Sequence, residues 1–188
     1  MAKFQRCDWP GSYELMIKYH DEEWGVPNHD DRKWFEYITL DAFQAGLSWA
    51  IVLNKRENFR KAFHNFDPVK ISKYSQNKID ELIQDAGIIR NKLKINATIS
   101  NAKAFIEVQK EFGRFDNYIW KFVDGKPIVN KWKTMLEIPA NTHESDILSA
   151  DLKKRGFKFV GTTICYAFMQ GAGMVNDHVT TCFRYKEV

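Results

Sequence analysis

Apolar residues recur at steps of three and four along most of this 188-residue chain and alternate at steps of two almost nowhere. Side chains three or four apart share a helix face, whereas a half-buried strand needs period two, so the pattern predicts an all-α fold. The longest periodic stretch runs over residues 91–112, with Ile95, Ile99, Ala102, Phe105 and Ile106 in register. A second helix places Trp34, Tyr37, Ile38 and Leu40 on one broad face and ends before Gly46. Other helices are predicted over SYELMIKYH with Ser12 as cap, from Ser48 through Phe63, and from Asp67, where Pro68 sits in the first helical position and its missing N–H does no harm. Ile79, Leu82, Ile83 and Ala86 give another that stops at Gly87, and FDNYIWKFV closes on an Asp124–Gly125 turn. SDILSADLKK stops at Gly156 and TTICYAFMQ follows. FKFV (157–160) alternates but is too short and isolated to build a sheet, and 128–142, with Pro139, reads as an irregular connection.

No repeat, low-complexity segment or change of composition divides the chain, so one domain is expected over residues 1–188. Aromatic residues make up 14% of it, enough to fill a core and also to line a site for flat ligands. The net charge of +4 permits a polyanionic partner without requiring one. The opening MAKFQRCDWPG lacks the apolar centre of an export signal, and no run of about 18 apolar residues occurs, so a cytoplasmic, membrane-free protein is expected. Nothing suggests oligomerisation, and a monomer is expected.

Three cysteines without an export signal make a disulfide framework improbable, leaving metal ligation or burial. His178 and Cys182 fall four apart near one end, and Cys7 and His20, with twelve residues between them, near the other. Together they form a Cys2His2 set, the donor mixture that suits tetrahedral zinc. The spacing is plausible within each half, but the pairing across the chain cannot be read from it, and solvent-exposed histidines with a stray thiol remain the alternative. Cys165, among Ile164, Tyr166 and Phe168, reads as a small buried thiol. HDE at 20–22 matches a fragment of the zinc deaminase signature, which also needs a P-C-x-x-C that the chain lacks.

Two further constellations could carry chemistry. Lys153, Lys154, Arg155 and Lys158 crowd a corner before a glycine hairpin at Gly161 and a helix opening with Thr162 and Thr163. Free N–H groups at such a helix start, flanked by cations, can receive a phosphate of nucleic acid. A solvated basic helix end is the competing reading, and DAGIIRNKLK at 85–94 is a rival hairpin. In LDAFQAGLSW, Asp41 lies near Trp49, with Trp9, Tyr19 and Trp24 earlier in the chain. A carboxylate among flat rings would recognise a planar cation, although an ordinary surface carboxylate fits the sequence equally well.

The blocks YHDEEWGVP, FQAGLSW, KRENFRKAF, FDPVK, DAGIIRN, KKRGFKFVGTTICYAFMQ and VNDHV together resemble the bacterial type I 3-methyladenine DNA glycosylases, from Cys7 to Cys182. The resemblance implies an all-α, helix-hairpin-helix glycosylase fold, two helical lobes with structural Zn2+ joining the terminal segments through Cys7, His20, His178 and Cys182. It implies a DNA-anchoring hairpin at FKFVGTT, with Lys154, Arg155, Lys158, Gly161, Thr162 and Thr163 on duplex DNA carrying alkylated purines. Its base pocket falls on Trp9, Tyr19, Trp24 and Trp49, with Asp41 as the catalytic carboxylate, where many members carry Glu. A mechanism consistent with these residues extrudes the damaged nucleotide and hydrolyses its glycosidic bond without strand cleavage, with Gly46 and Leu47, just before Trp49, expected to enter the gap.

Overall fold

The computed structural model describes residues 5–188. Residues 1–4, part of the opening stretch read above for an export signal, lie outside them. The helices run in the order α1 (Glu14–Glu22), α2 (Asp31–Gln44), α3 (Trp49–Ala62), α4 (Pro68–Ile71), α5 (Gln76–Gln84), α6 (Lys92–Phe112), α7 (Phe115–Ile119), α8 (His143–Lys154) and α9 (Thr162–Gly171). The all-α expectation holds. Among the described residues, none of these helices is long and apolar enough to cross a membrane.

α2 organises the rest. Asp30 caps it by accepting from the Lys33 N–H at 2.8 Å, and every residue from Trp34 to Phe43 is buried. The sequence predicts one apolar face; the helix is instead enclosed on all sides, by α3, α6, α7 and α9, which forces Glu36, Thr39 and Asp41 inside with it. Phenylalanines lock these helices together, with ring centroids 5.2 Å apart for Phe35–Phe105, 4.7 Å for Phe43–Phe59 and 4.2 Å for Phe105–Phe115. Each such buried side chain contributes roughly 1.5–3 kcal/mol.

Several local expectations change. Ser12 does not cap α1; Tyr13 occupies that position and supplies no side-chain bond. α5 ends at Gln84 rather than running on to Gly87, because the Asp85 carboxylate accepts from the Gly87 N–H at 2.7 Å and turns the chain. α8 begins earlier than predicted, where Thr142 and Ser145 exchange side-chain bonds with each other's backbone. FKFV forms no strand, since Phe159 adopts φ +56°. A two-residue parallel pair, β1 (Ile128–Val129) and β2 (Val175–Asn176), falls in stretches too short to show any period. As predicted, Asp67 and Pro68 open α4 and the chain turns at Asp124 and Gly125, both of which prove left-handed.

The terminal segments come together. Phe183 donates its N–H to the Gln5 carbonyl at 2.9 Å, and at Gly173 (φ +73°) the chain passes so close to Val26 and Pro27 that a Cβ would lie 2.2 Å from the Val26 carbonyl carbon. This contact seats the residues after α9 against those after α1. Beside the main core, a second apolar cluster gathers Cys7, Tyr19, Trp24, Leu53, Val179 and Cys182, with Trp9 and Trp49 packed on it.

Candidate active site and metal centre

Tyr19 and His20 are neighbours on the last turns of α1 and both are buried. Consecutive helical residues point about 100° apart, so one turn of helix serves two sites. His20 joins Cys7, His178 and Cys182, whose ligand atoms all lie within 4.8 Å of one another and are all buried. Cys182 Sγ stands 3.5 Å from His20 Nε2 and 3.5 Å from His178 Nδ1, and Cys7 Sγ is 3.7 Å from His178 Nδ1. The reading of exposed histidines and a stray thiol is thereby excluded, and the cluster can hold a metal ion.

The outer nitrogens are fixed as ligation requires. His178 Nε2 lies 3.0 Å from the Trp24 carbonyl, which can only accept, so the lone pair is left on Nδ1. His20 Nδ1 sits 2.7 Å from the Asp21 carboxylate, itself held by Arg6, so Nε2 faces the cluster. The bond from Cys7, with those of the two histidines, pushes the Cys182 thiol well below the usual thiol range, whereas the Cys7 thiol is raised by that same bond and by burial.

Tyr19 faces a cleft of about 210 Å³ lined by Trp9, Trp24, Asp41, Gln44, Trp49, Met135, Ala167 and Gln170. Its rings meet obliquely, with Trp9–Trp24 centroids at 5.2 Å and Tyr19–Trp49 at 5.3 Å. The indole N–H groups of Trp9 and Trp49 are buried without a partner among the described residues. Asp41 is 5% exposed, which excludes the surface-carboxylate reading. Burial drives its pKa well above the usual carboxylate range, and the positive charge of Arg56 opposes the shift. Arg56, buried as well, is held by Glu36 at 2.6 Å and Glu23 at 2.8 Å.

The α8–α9 hairpin departs from the sequence reading in two respects. Arg155 is not free to meet a phosphate: it bonds Asp151 and Glu111, both at 2.7 Å, and lies over the Phe112 and Tyr118 rings. The left-handed residues of the connection are Gly156 and Phe159, while Gly161 has an ordinary φ and stands at the N-cap of α9. Lys153, Lys154, Lys158 and Thr163 are exposed, and the Thr162 hydroxyl bonds Asp146 and Ser145. Gly46 (φ +79°) and Leu47, both exposed, occupy the loop between Asp41's helix and Trp49's.

The sequence model of the methyladenine glycosylases matches residues 9–185. The chain is 52% identical over 181 residues to DNA-3-methyladenine glycosylase 1 of Escherichia coli strain K12, covering 96% of this chain and 97% of that protein. It belongs to the methyladenine glycosylase family. The crystal structure of a 3-methyladenine DNA glycosylase I superposes with a TM-score of 0.93 at 52% identity, over 95% of this chain and 98% of that one. A Tyr-to-Phe variant of such an enzyme, solved in complex with 3-methyladenine, gives 0.92 at 29% identity, over 95% and 96%. The helix-hairpin-helix-like architecture is therefore that of the family.

Sequence reasoning missed residues that build the pocket wall. Gln44 and Gln170 line the cleft. Fully buried Asp177 accepts from Asn130 and Trp132 on one oxygen and from Tyr166 and Gln170 on the other, all at 2.6–2.7 Å. It thereby ties α9 to the connection that carries Met135. An aspartate directly before a candidate metal ligand, in NDHV, was the available signal.

Proposed function

We propose that this chain hydrolyses the N-glycosidic bond of 3-methyladenine in alkylated duplex DNA, releasing the free base and leaving the strand intact. The observation that carries this reading is Asp41: a buried carboxylate, with no hydrogen-bond partner among the described residues, that lines a cleft walled by Trp9, Tyr19, Trp24 and Trp49. A buried charge without a partner costs several kcal/mol, so a ligand that pairs with it recovers that cost. 3-Methyladenine in DNA is a cation, and adenine is neutral. The damaged nucleotide would be extruded and its ring stacked among the aromatic side chains, at about 1–3 kcal/mol per base. Asp41 would accept hydrogen bonds from the purine edge and favour the charged base. Because a cationic base leaves as a neutral group, water can attack the sugar with little acid assistance.

Three supporting parts complete the proposal. The Cys7, His20, His178 and Cys182 cluster would hold structural zinc: Zn–S near 2.3 Å and Zn–N near 2.0–2.1 Å give tetrahedral S···N edges of about 3.6 Å, against 3.5, 3.5 and 3.7 Å here. Four protein ligands leave no coordination position for water, so the metal's part would be to clamp the terminal segments. Lys154, Lys158 and the N–H groups at Gly161, Thr162 and Thr163 would grip the phosphate backbone, without Arg155. Leu47, presented by Gly46, would fill the gap left by the extruded base.

Asp departs by one methylene from the Glu carried by many members, a reach shorter by roughly 1.5 Å. In this chain the cleft keeps Asp41 beside the rings. Chromatography of bases freed from methylated duplex DNA tests the function: 3-methyladenine in the supernatant, with intact strands, is the expected result. DNA binding without base release would leave a binding protein and overturn it.

A further inference from the structure

Lys94 is the most deeply buried lysine among the described residues, 6% exposed and without a carboxylate partner among them. Lysine is rarely buried without a specific reason. It sits on the first turn of α6, its N–H accepted by the Asn91 cap, yet its side chain turns inward. The ammonium donates to the Phe43 carbonyl at 2.8 Å and the Ala45 carbonyl at 2.6 Å. These belong to the end of α2, where carbonyls lack helical partners and a cation complements the helix dipole.

Two parts that the proposed reaction uses meet at this ammonium. On one side, Ala45 begins the loop that presents Leu47, held further by the Leu47 N–H to Gln44 carbonyl bond at 2.7 Å and the Gln44 side chain on the Leu47 carbonyl at 3.2 Å. That loop joins the helix of Asp41 to the helix of Trp49. On the other side, the ammonium lies 5.9 Å from the ring centroid of Phe159, the left-handed tip of the α8–α9 hairpin. α6 grips the hairpin a second time: Asn101 accepts from the Lys158 N–H at 2.7 Å and donates to the Lys158 carbonyl at 3.1 Å. α6, which begins at the end of the stretch 85–94 read from sequence as a rival hairpin, is therefore a buttress of this one.

We infer that Lys94 is a positioning residue that sets the Gly46–Leu47 loop relative to the hairpin, so that a duplex held at the hairpin meets Leu47 at the height needed to extrude a nucleotide. The inference rests on the glycosylase reading above. A lysine that merely capped α2 would affect stability and every activity alike; one that places Leu47 affects the extrusion step and spares the pocket.

Lys94→Met keeps the apolar stem and removes both hydrogen bonds. Single-turnover release of 3-methyladenine from methylated duplex should fall at least about fivefold, while binding of free 3-methyladenine and of undamaged duplex stays within about twofold of wild type. Combined with Leu47→Ala, the loss should not multiply, because both changes remove the same placement. A fall smaller than fivefold, a parallel loss of free-base binding, or multiplying effects would overturn the inference. Should Lys94→Met fail to fold, Phe159→Leu at the exposed hairpin tip removes the ring facing the ammonium; it should slow release about two- to fivefold with free-base binding unchanged, and wild-type release there would overturn the inference. Absence of base release by the wild-type protein would instead sink the glycosylase reading itself.

Discussion

One helical turn, carrying Tyr19 and His20, feeds two adjacent clusters with opposite polar bookkeeping. Around His20 each outer ring nitrogen has an acceptor: His20 has Asp21, itself held by Arg6, and His178 has the Trp24 carbonyl. Around Tyr19, the Trp9 and Trp49 N–H groups are unanswered and the Asp41 carboxylate is buried and raised in pKa. Buried polar groups are normally satisfied because leaving one bare costs about 1–3 kcal/mol. The completed cluster can hold a metal ion, and as proposed it would clamp the terminal segments. On the proposed reading, the incomplete one takes a ligand that offers acceptors to the two indole N–H groups and positive charge to Asp41.

The largest effect should come from breaking the completed side. Cys182→Ser should abolish stoichiometric zinc in elemental analysis and lower Tm by about 10 °C or more, because structural metal binding is folding free energy. A metal-free wild-type protein with the same melting curve would remove zinc from the account.

Asp41→Asn sharpens the comparison, because the two sides predict opposite signs for stability. Losing one charge-assisted hydrogen bond to the cationic base should slow excision about 10- to 100-fold. Stability should rise. Asp41's folded pKa lies above its unfolded value, so its protonated form favours folding below the ordinary carboxylate range, and that contribution is lost as pH rises through the folded value. At neutral pH the asparagine variant is therefore the more stable, and its advantage vanishes in acid. Thermal melts at two pH values check the sign. Excision by the wild-type enzyme should decline on acidification at a pH above the usual carboxylate range, as Asp41 takes up a proton.

The smallest effect separates two neighbouring cations on the hairpin. Lys154→Ala should weaken binding to all duplexes alike and reduce the salt slope by about one. Arg155→Ala should leave that slope unchanged and lower Tm by a few degrees, since Asp151, Glu111 and two aromatic rings already hold it. Fluorescence titrations at several salt concentrations distinguish them.

These regions also mark what the sequence could convey. Period-three and period-four spacing placed the long helices because burial imposes it directly, whereas donor types only suggested the four metal-cluster residues, and the family resemblance was needed to pair them across the chain. Arg155 reads from sequence as a DNA contact: Asp151, four residues before it, was the available signal against that, but its distant partner Glu111, 44 residues away, is invisible there. Asp41 was ambiguous for the same reason: its burial is set by α9 and α3 closing over α2. Lys94 and Asp177 were invisible as architecture, since their partners are carbonyls and side chains up to 51 residues away.

The central claim is that a single carboxylate in an aromatic slot selects a positively charged purine. Titrating tryptophan fluorescence with 9-alkylated 3-methyladenine, which carries the lesion's charge permanently, and with neutral 9-alkylated adenine measures that selection directly. Wild-type protein should bind the cation at least about tenfold more tightly, and Asp41→Asn should erase the preference. An undiminished preference in the asparagine protein would contradict the account.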